Sequence, residues 1–348
     1  TPGHTIESTT YLLKDSSGKD HAIFTGDTLF LGDVGRPDLS QNSSMSNRDL
    51  ASMLFDSLRN KIMTLSDDVI IYPGHGEGSS CGKDLSSETI GTLGDQKRTN
   101  YALRENMTKD EFIREVLNGL LDPPKYFPDN VMLNKEGYSE SDEIINRSFN
   151  SLTANEVNNM LKEKLIILDV RSVEDFSSSH IPGSIFIGLD GRFAPWVGEI
   201  LEDVSKKLIL VAPEGREKEA IIRLSRVGFD NVIGYLKGGI NSWIKSGGII
   251  SKVLNESASK FSTVNNNKDI LDVRSKNEHK SESLLNSINI PLIDLSKSID
   301  KVSFEKTFYV HCKGGYRSMI AASILLANGI SNFINISGGY DKIKKYNS

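Results

Sequence analysis

The segment H-C-K-G-G-Y-R-S, which begins at His311, contains the residue types needed to stabilise and use a sulfur anion. It follows the β-rich run T-F-Y-V and precedes a helix-forming run, so Cys312 is expected in a turn between a strand and a helix. There the backbone N–H groups and the positive end of the helix face the sulfur, and Lys313 and Arg317 add positive charge. These features favour the nucleophilic thiolate. We therefore interpret Cys312 as a reactive thiol rather than an inert buried side chain.

Three more polar residues stand beside glycine at the ends of β-rich runs near the start of the chain. They are His4 in P-G-H-T, Asp27 in F-T-G-D-T and His75 in Y-P-G-H-G. Imidazole and carboxylate groups are ligands of zinc and iron. A lone histidine in a turn usually makes only hydrogen bonds, so a metal site here depends on the fold bringing the three residues together.

The composition of the 348 residues is that of a soluble globular protein, with 38% hydrophobic and 25% charged residues. The net charge of −5 argues against nucleic acid or an anionic membrane as a partner, because both attract basic patches. The apolar runs are too short to span a bilayer. Two cysteines, Cys81 and Cys312, exclude a disulfide scaffold and indicate a reducing compartment, so the expected location is the cytoplasm.

The second half of the chain contains an internal repeat. The motif I-L-D-V-R-S occurs at 167–172 and at 270–275, and K-G-G-I at 237–240 returns as S-G-G-Y at 337–340. The nearly equal offsets predict two tandem domains, at 151–254 and 260–348. In each, β-rich runs alternate with helical periodicity, which predicts a parallel sheet covered by helices. Gly329 is expected to end the helix that follows Cys312.

Residues 1–150 form a separate domain with a linker. The runs T-T-Y-L-L-K and H-A-I-F-T-G-D flank the turn sequence D-S-S-G-K-D, which predicts a hairpin. Leu50, Leu54 and Leu58 have helical spacing. Polar segments near 140–151 and 255–267 predict linkers.

The D-V-R strands and the Cys312 loop resemble the rhodanese family of sulfurtransferases over both repeats. The resemblance implies that Cys312 accepts a sulfane sulfur as a persulfide, in a loop completed by Lys313, Gly314, Gly315, Tyr316 and Arg317. Dual-specificity phosphatases have a similar loop, but with one more residue between cysteine and arginine. The first repeat carries the family motif H-I-P-G-S-I at 180–185, but its cysteine position falls on Pro213 or Glu214. That repeat is expected to be structural.

The front domain resembles the second half of the metallo-β-lactamase fold, through the order of His4, Asp27 and His75. T-L-F-L-G-D-V-G-R-P-D-L (28–39), G-E-G-S-S-C-G-K (76–83) and P-K-Y-F-P-D-N-V (124–131) resemble bacterial persulfide dioxygenases fused to rhodanese domains. The expected fold class is therefore α/β, with a partial αββα metallo-β-lactamase sandwich followed by two rhodanese-like domains with central parallel sheets. The first half of the sandwich, with its H-x-H-x-D-H cluster, is absent from these residues, so apolar sheet surface should be exposed.

The second resemblance implies one iron(II) held by His4, Asp27 and a histidine upstream of Thr1. His75 would lie outside the iron's ligands, while Arg36 and Asp38 would hold the site together, and Cys81 is interpreted as a small buried side chain. The implied enzyme oxidises a low-molecular-weight thiol persulfide (of glutathione, coenzyme A or a similar thiol) with dioxygen to sulfite, and exchanges sulfane sulfur with thiosulfate or sulfite. One alternative is a glyoxalase-type hydrolase of thioesters with two Zn²⁺ ions, in which His75 is a ligand; another is a non-catalytic sulfur carrier. A homo-oligomer is left open.

Overall fold

The structure, a computed structural model, describes residues 1–39, 45–77, 79, 81–83, 85–120, 126–163, 165–263, 269–302 and 306–347. The chain forms two compact units, Thr1–Pro128 and Asp129–Ser348. Among the described residues, no helix is both long and apolar enough to cross a bilayer.

The described part of the first unit contains a four-stranded sheet in the order β1-β2-β3-β4. Its strands are β1 (Tyr11–Lys14), β2 (Asp20–Gly26), β3 (Ile70–Pro73) and β4 (Gly91–Thr92), and its helices are α1 (Asn47–Ser57), α2 (Leu93–Thr99) and α3 (Lys109–Leu117), with a π-helical turn at Leu58–Ile62 and a 3-10 turn at Tyr101–Leu103. The hairpin is confirmed, since β1 pairs antiparallel with β2. The side chain of Asp15 stabilises its turn by accepting hydrogen bonds from the N–H groups of Ser17 (2.8 Å) and Lys19 (3.0 Å). The parallel pairing of β2 with β3 brings their carboxyl ends together.

The helical prediction for α1 is confirmed, because Leu50, Leu54 and Leu58 are all fully buried. A capping box between Ser46 and Asp49 begins the helix. The opposite face of the sheet carries large exposed side chains, as expected for half of a sandwich. Tyr11, Phe24 and Tyr72 lie side by side across three strands and are 70%, 45% and 36% exposed; the last two rings stack at 5.2 Å.

The described part of the second unit contains two five-stranded parallel sheets with equivalent strand orders, β5-β9-β8-β6-β7 and β10-β14-β13-β11-β12. The first repeat consists of β5 (Ser151–Leu152), α6 (Ala154–Met160), β6 (Ile166–Asp169), α7 (Val173–Ser178), β7 (Ile185–Phe186), α8 (Phe193–Leu201), β8 (Leu208–Val211), α9 (Glu217–Ser225), β9 (Val232–Leu236) and α10 (Gly239–Lys245), preceded by α4 (Phe127–Glu136) and α5 (Ser141–Ser148). The second consists of β10 (Asn255–Ser257), α11 (Ala258–Thr263), β11 (Ile270–Asp272), α12 (Lys276–Ser281), β12 (Ser287–Asn289), α13 (Leu292–Leu295), a 3-10 segment at Ser296–Lys301, β13 (Phe308–His311), α14 (Tyr316–Ala327), β14 (Phe333–Ser337) and α15 (Gly339–Asn347). The central strands are buried on both faces, as parallel sheets require. The predicted parallel sheets are confirmed.

The two segments expected as linkers are instead largely structured. Residues 141–148 form α5, which buries Ile144. Residues 255–257 add β10 to the edge of the second sheet by pairing with β14. Short elements at an edge bury few side chains, so their sequences are polar and resemble those of linkers. Residues 264–268, in the second predicted linker, lie outside the described residues.

Candidate functional site

The loop after β13 holds Cys312 between a strand and the helix α14, as the sequence predicts. Gly315 adopts φ +103°, a conformation that suits glycine, and its N–H donates to Sγ of Cys312 at 3.1 Å. Tyr316 begins α14, so the positive end of a twelve-residue helix lies beside the sulfur. The cysteine is 1% exposed. This geometry stabilises negative charge on sulfur.

A second glycine motif, S-G-G-Y at 337–340, packs against the backbone of the Cys312 loop. A Cβ atom on Gly339 would lie 2.4 Å from the carbonyl oxygen of Cys312 and 2.6 Å from that of Lys313. Only a residue without a side chain allows this approach. The N–H of Tyr340 donates to the carbonyl of Cys312 at 2.7 Å. The S-G-G-Y motif, read from sequence only as a marker of the repeat, therefore fixes the backbone of the reactive loop.

The positive charge of Arg317 is oriented by an acid that the sequence analysis missed. Glu278 accepts two hydrogen bonds from its guanidinium, at 2.6 and 2.7 Å. This pairing with Arg317 lowers the pKa of Glu278 to about 2 and raises that of Arg317. Glu278 also forms a capping box with Ser275. The pattern S-x-x-E after D-V-R was the available signal. Lys313 is exposed at the rim of the loop.

Beneath the loop lies the D-V-R motif of the second repeat. Asp272 and Arg274 form a buried ion pair with Nη2–Oδ2 at 2.6 Å, and the guanidinium lies 4.1 Å above the Tyr340 ring. His311 is fully buried next to Cys312, and burial lowers its pKa, so its imidazole is neutral at pH 7. The ion pair anchors the end of β11 under the strand that delivers the cysteine.

The structure corrects the alignment of the first repeat. β6 pairs with β8 as β11 pairs with β13, so β8 and β13 are equivalent strands. The residue after β8 is Ala212, and the residue after β13 is Cys312. The cysteine position is therefore Ala212, not Pro213 or Glu214. Sequence alone could not settle this register, because the D-V-R and glycine landmarks have different offsets. The conclusion that this loop has no sulfur nucleophile is unchanged.

The candidate metal ligands meet in the first unit. One potential ligand atom from each of three residues lies within 4.8 Å of the other two; the residues are His4, Asp27 and Cys81. Nε2 of His4 lies 3.3 Å from one oxygen of Asp27, and Nε2 of His75 lies 3.4 Å from the other oxygen. Asp27 and His75 follow the neighbouring parallel strands β2 and β3, which explains why residues far apart in sequence converge.

The surroundings of His4 suit a metal ligand. Its Nδ1 lies 2.8 Å from the carbonyl oxygen of Arg36 and donates to it, which fixes the orientation of the ring and directs Nε2 towards Asp27. A Cβ on Gly35 would lie 1.8 Å from the carbonyl oxygen of Asp27, and one on Gly74 would lie 2.6 Å from its carboxylate. Glycine at both positions lets the chain close around the site. Nitrogen and oxygen ligand atoms held in a fixed orientation fit a divalent cation.

The charges in this cluster depend on one another. Burial raises the pKa of Asp27, but hydrogen bonds from His4 and His75 outweigh it and hold that pKa well below its usual range. The carboxylate in turn raises the pKa of His75 to about 10, and Cys81 adds to the increase. A carboxylate that stays ionised at neutral pH is ready to bind a cation.

Cys81 has a different position from the one expected. It is 9% exposed, as a small buried side chain would be, but its sulfur belongs to the cluster with His4 and Asp27. Its carbonyl accepts from the N–H of Arg36 at 2.9 Å, which ties the cysteine turn to the G-R-P-D segment. Arg36 is buried and paired with Asp38 at 2.6 Å, the supporting arrangement expected from the sequence. The sequence signal for Cys81 was its place in the segment G-E-G-S-S-C-G-K, which did not by itself predict a ligand.

Comparisons with known proteins find relatives of the rhodanese-like and metallo-β-lactamase parts of the chain. The model of the rhodanese-like domain matches residues 153–246 and 257–346, more than half of the chain. The human mitochondrial persulfide dioxygenase ETHE1 is 32% identical over 124 residues, and an uncharacterised protein of Mycobacterium tuberculosis is 38% identical over 85. A solved metallo-β-lactamase from Staphylococcus aureus is 31% identical, covers 68% of this chain and has a TM-score of 0.56.

The coverage of these relatives is partial. The match with the human relative covers 36% of this chain and 40% of that protein, and the match with the mycobacterial relative covers 24% and 35%. The match with the staphylococcal structure covers 64% of that protein. The repeat and the two parallel sheets agree with the family model, and the front unit agrees with the metallo-β-lactamase neighbour. The chain belongs to the rhodanese-like domain family, as a fusion of two such domains to a metallo-β-lactamase fold.

Proposed function

We propose that this chain is a persulfide dioxygenase and sulfurtransferase, which oxidises a low-molecular-weight thiol persulfide to sulfite at one iron and passes sulfane sulfur through a persulfide on Cys312. The observation that carries the sulfur-transfer half is the N–H of Gly315, 3.1 Å from the Cys312 sulfur at the positive end of α14. The likeness to a persulfide dioxygenase supports the oxidative half.

In the transfer reaction, the Cys312 thiolate attacks the sulfane sulfur of thiosulfate. A new S–S bond forms on Cys312 as the old one breaks, and sulfite leaves with the bonding electron pair. An acceptor thiolate then attacks the outer sulfur, and Cys312 leaves as a thiolate, so no external oxidant or reductant is consumed. The N–H of Gly315 and the end of α14 stabilise the sulfur anion at each stage. In reverse, a thiol persulfide and sulfite give thiosulfate.

For the oxidative half, His4 and Asp27 would hold iron(II) through Nε2 and a carboxylate oxygen. When bound, iron supplies the redox chemistry that joins dioxygen to the persulfide sulfur. The protein's own contribution is to hold the imidazole in one tautomer through the Arg36 carbonyl and to keep Asp27 ionised. In a protein that also supplies the histidine expected upstream of Thr1, replacing His4 or Asp27 with alanine should abolish stoichiometric iron binding, measured by metal analysis after dialysis.

The sulfur-transfer half is tested by thiosulfate turnover with a thiol acceptor. Cys312→Ser should reduce turnover to background, because serine cannot carry a persulfide, whereas Cys81→Ser should retain most of it. An equal loss in both variants contradicts the assignment of one sulfur-carrying loop. A protein that takes up sulfur on Cys312 without releasing it to glutathione or coenzyme A is a carrier instead of an enzyme.

A thioester hydrolase with two zinc ions is the second candidate. It is favoured by one observation, the 3.4 Å separation between Nε2 of His75 and Oδ1 of Asp27, the oxygen that does not contact His4; these two residues would hold the second ion. Two zinc ions per chain, with thioester hydrolysis lost in His75→Ala, would support the hydrolase. One iron per chain that survives His75→Ala would support the dioxygenase.

A further inference from the structure

The first residue of α14 extends out of the Cys312 loop and into the other repeat. Tyr316 follows Gly315, whose N–H bonds to the cysteine sulfur. Its hydroxyl donates to the carbonyl oxygen of Gly188 in the first repeat at 2.7 Å. Burial raises the pKa of Tyr316 above its usual range, so the hydroxyl stays protonated and continues to donate. One side chain thus connects the reactive loop to the repeat without a cysteine.

The receiving surface is shaped for this ring. Phe186 meets the Tyr316 ring edge to face, with centroids 6.0 Å apart. A Cβ atom on Gly191 would lie 2.8 Å from the tyrosine ring carbons. The backbone at Gly191 does not have the positive φ that would require glycine, so the need for glycine there comes from the tyrosine. The fit is therefore specific to these two surfaces.

A second contact holds the same helix two turns further on. The hydroxyl of Ser323 accepts a hydrogen bond from the N–H of Phe186 at 3.0 Å. Residues seven apart lie on one helix face, so Tyr316 and Ser323 fix α14 at two points along β7. Gly314 and Gly315 restrict the loop from within less than residues with side chains would, so contacts with neighbouring elements hold it. The direction of the N–H that faces Cys312 therefore depends on how the start of α14 is held as well as on the S-G-G-Y motif.

The residue of the first repeat that is equivalent to Tyr316 makes its ion pairs within its own repeat. The position equivalent to Tyr316 in the first repeat is Arg216, which pairs with Asp190 at 2.8 Å and Glu219 at 2.8 Å inside its own repeat. The second repeat supplies the nucleophile and the tyrosine, while the first repeat supplies the surface that receives it.

We propose that Tyr316 is a positioning residue, through which the cysteine-free first repeat fixes the loop that activates Cys312. The proposal rests on the sulfur chemistry proposed above, but its effect on the thiol can be measured without turnover. A loosened Tyr316 lets the Gly315 N–H drift from the sulfur, so the thiolate is less stable and the cysteine is less reactive near neutral pH.

The test measures alkylation of Cys312 by iodoacetamide across pH in the full chain, with the modified peptide quantified by mass spectrometry. Tyr316→Phe should slow the alkylation of Cys312 at pH 7 by about three- to tenfold, because the thiolate is less stabilised. Thiosulfate turnover should show a fall in kcat of about three- to tenfold with little change in KM. Tyr235→Phe, which removes a hydroxyl elsewhere in the first repeat, is the matched control and should change neither quantity.

A second variant tests the contact from the other side. Gly191→Ala should slow the alkylation of Cys312 in the same way, but it should have no further effect in a Tyr316→Ala background, because the added methyl group then has no ring to displace. Thermal unfolding is followed in parallel. If both variants lower the melting temperature but leave the alkylation profile unchanged, the contact is merely structural and the proposal fails. If the profile shifts while the parent shows no turnover, the positioning role stands and the sulfurtransferase function fails.

Discussion

Residues 212–217 and 312–317 join equivalent strands to equivalent helices in the two repeats, and they differ mainly in charge and in one sulfur atom. The second loop contains two cations, Lys313 and Arg317, and no acid. In the first loop, the positions of Gly314 and Arg317 are taken by Glu214 and Glu217. Both loops keep a glycine of positive φ before the helix, at +80° and +103°. The two loops thus share this backbone conformation before the helix, although only the second loop contains a cysteine.

The support beneath the two loops differs much less. Asp169 and Arg171 form the same buried ion pair as Asp272 and Arg274, each with Nη2–Oδ2 at 2.6 Å. Both arginines also donate to a backbone carbonyl eight residues on, at 2.7 Å. The ion pair therefore supports the fold of both repeats, whereas the cysteine and its basic neighbours are present in only one.

The largest expected effect follows from that shared ion pair. Asp169→Asn and Asp272→Asn should each lower the free energy of unfolding by about 3–5 kcal/mol, because each leaves a buried guanidinium without its carboxylate. Urea denaturation measures both. A large loss at only one of the two positions would show that the repeats are not equivalent in stability.

The next effect should appear in the second repeat alone. Glu278→Ala removes the carboxylate that orients Arg317, and kcat/KM for thiosulfate should fall about tenfold. The matched variant Asp175→Ala, at the equivalent place in the first repeat, should leave sulfur transfer unchanged. Equal losses in the two variants would mean that the acid acts through helix capping rather than through Arg317.

The ion pair between Glu278 and Arg317 predicts that the stability of the fold depends on pH. Pairing with Arg317 lowers the pKa of Glu278 from 4.5 to about 2, so the pair contributes stability above about pH 4.5 and loses it as the pH falls towards 2. The difference in unfolding free energy between the parent and Glu278→Gln should therefore shrink over that range. Denaturation at pH 6, 4 and 3 checks this, and a difference that grows on acidification would contradict the assigned pairing.

The smallest effect is expected in the first loop. Glu214 is exposed, and Glu214→Ala should change sulfur-transfer turnover by less than about twofold, as most surface substitutions away from special features do. A loss comparable to that of Cys312→Ser would show that the first loop takes part in the reaction after all.

The sequence by itself determined the features that depend on local pattern. The I-L-D-V-R-S repeat gave the two parallel sheets, the spacing of Leu50 and Leu54 gave α1, and the order of strand, cysteine, glycine pair and helix gave the environment of Cys312. Hydrogen-bonding and burial periods act over a few residues, so they can be read without knowing what lies across the fold.

Only the tertiary structure decided which distant residues meet. The hydroxyl of Tyr316 reaches Gly188, 128 positions away, and Glu278 reaches Arg317, 39 positions away. Cys81 lies beside His4 and Asp27, although the sequence predicted only a small buried side chain at this position. These contacts depend on strand register and on the packing of one repeat against the other. One amino-acid sequence contains no periodic pattern that links two residues so far apart. The number of residues between them can change without changing the contact.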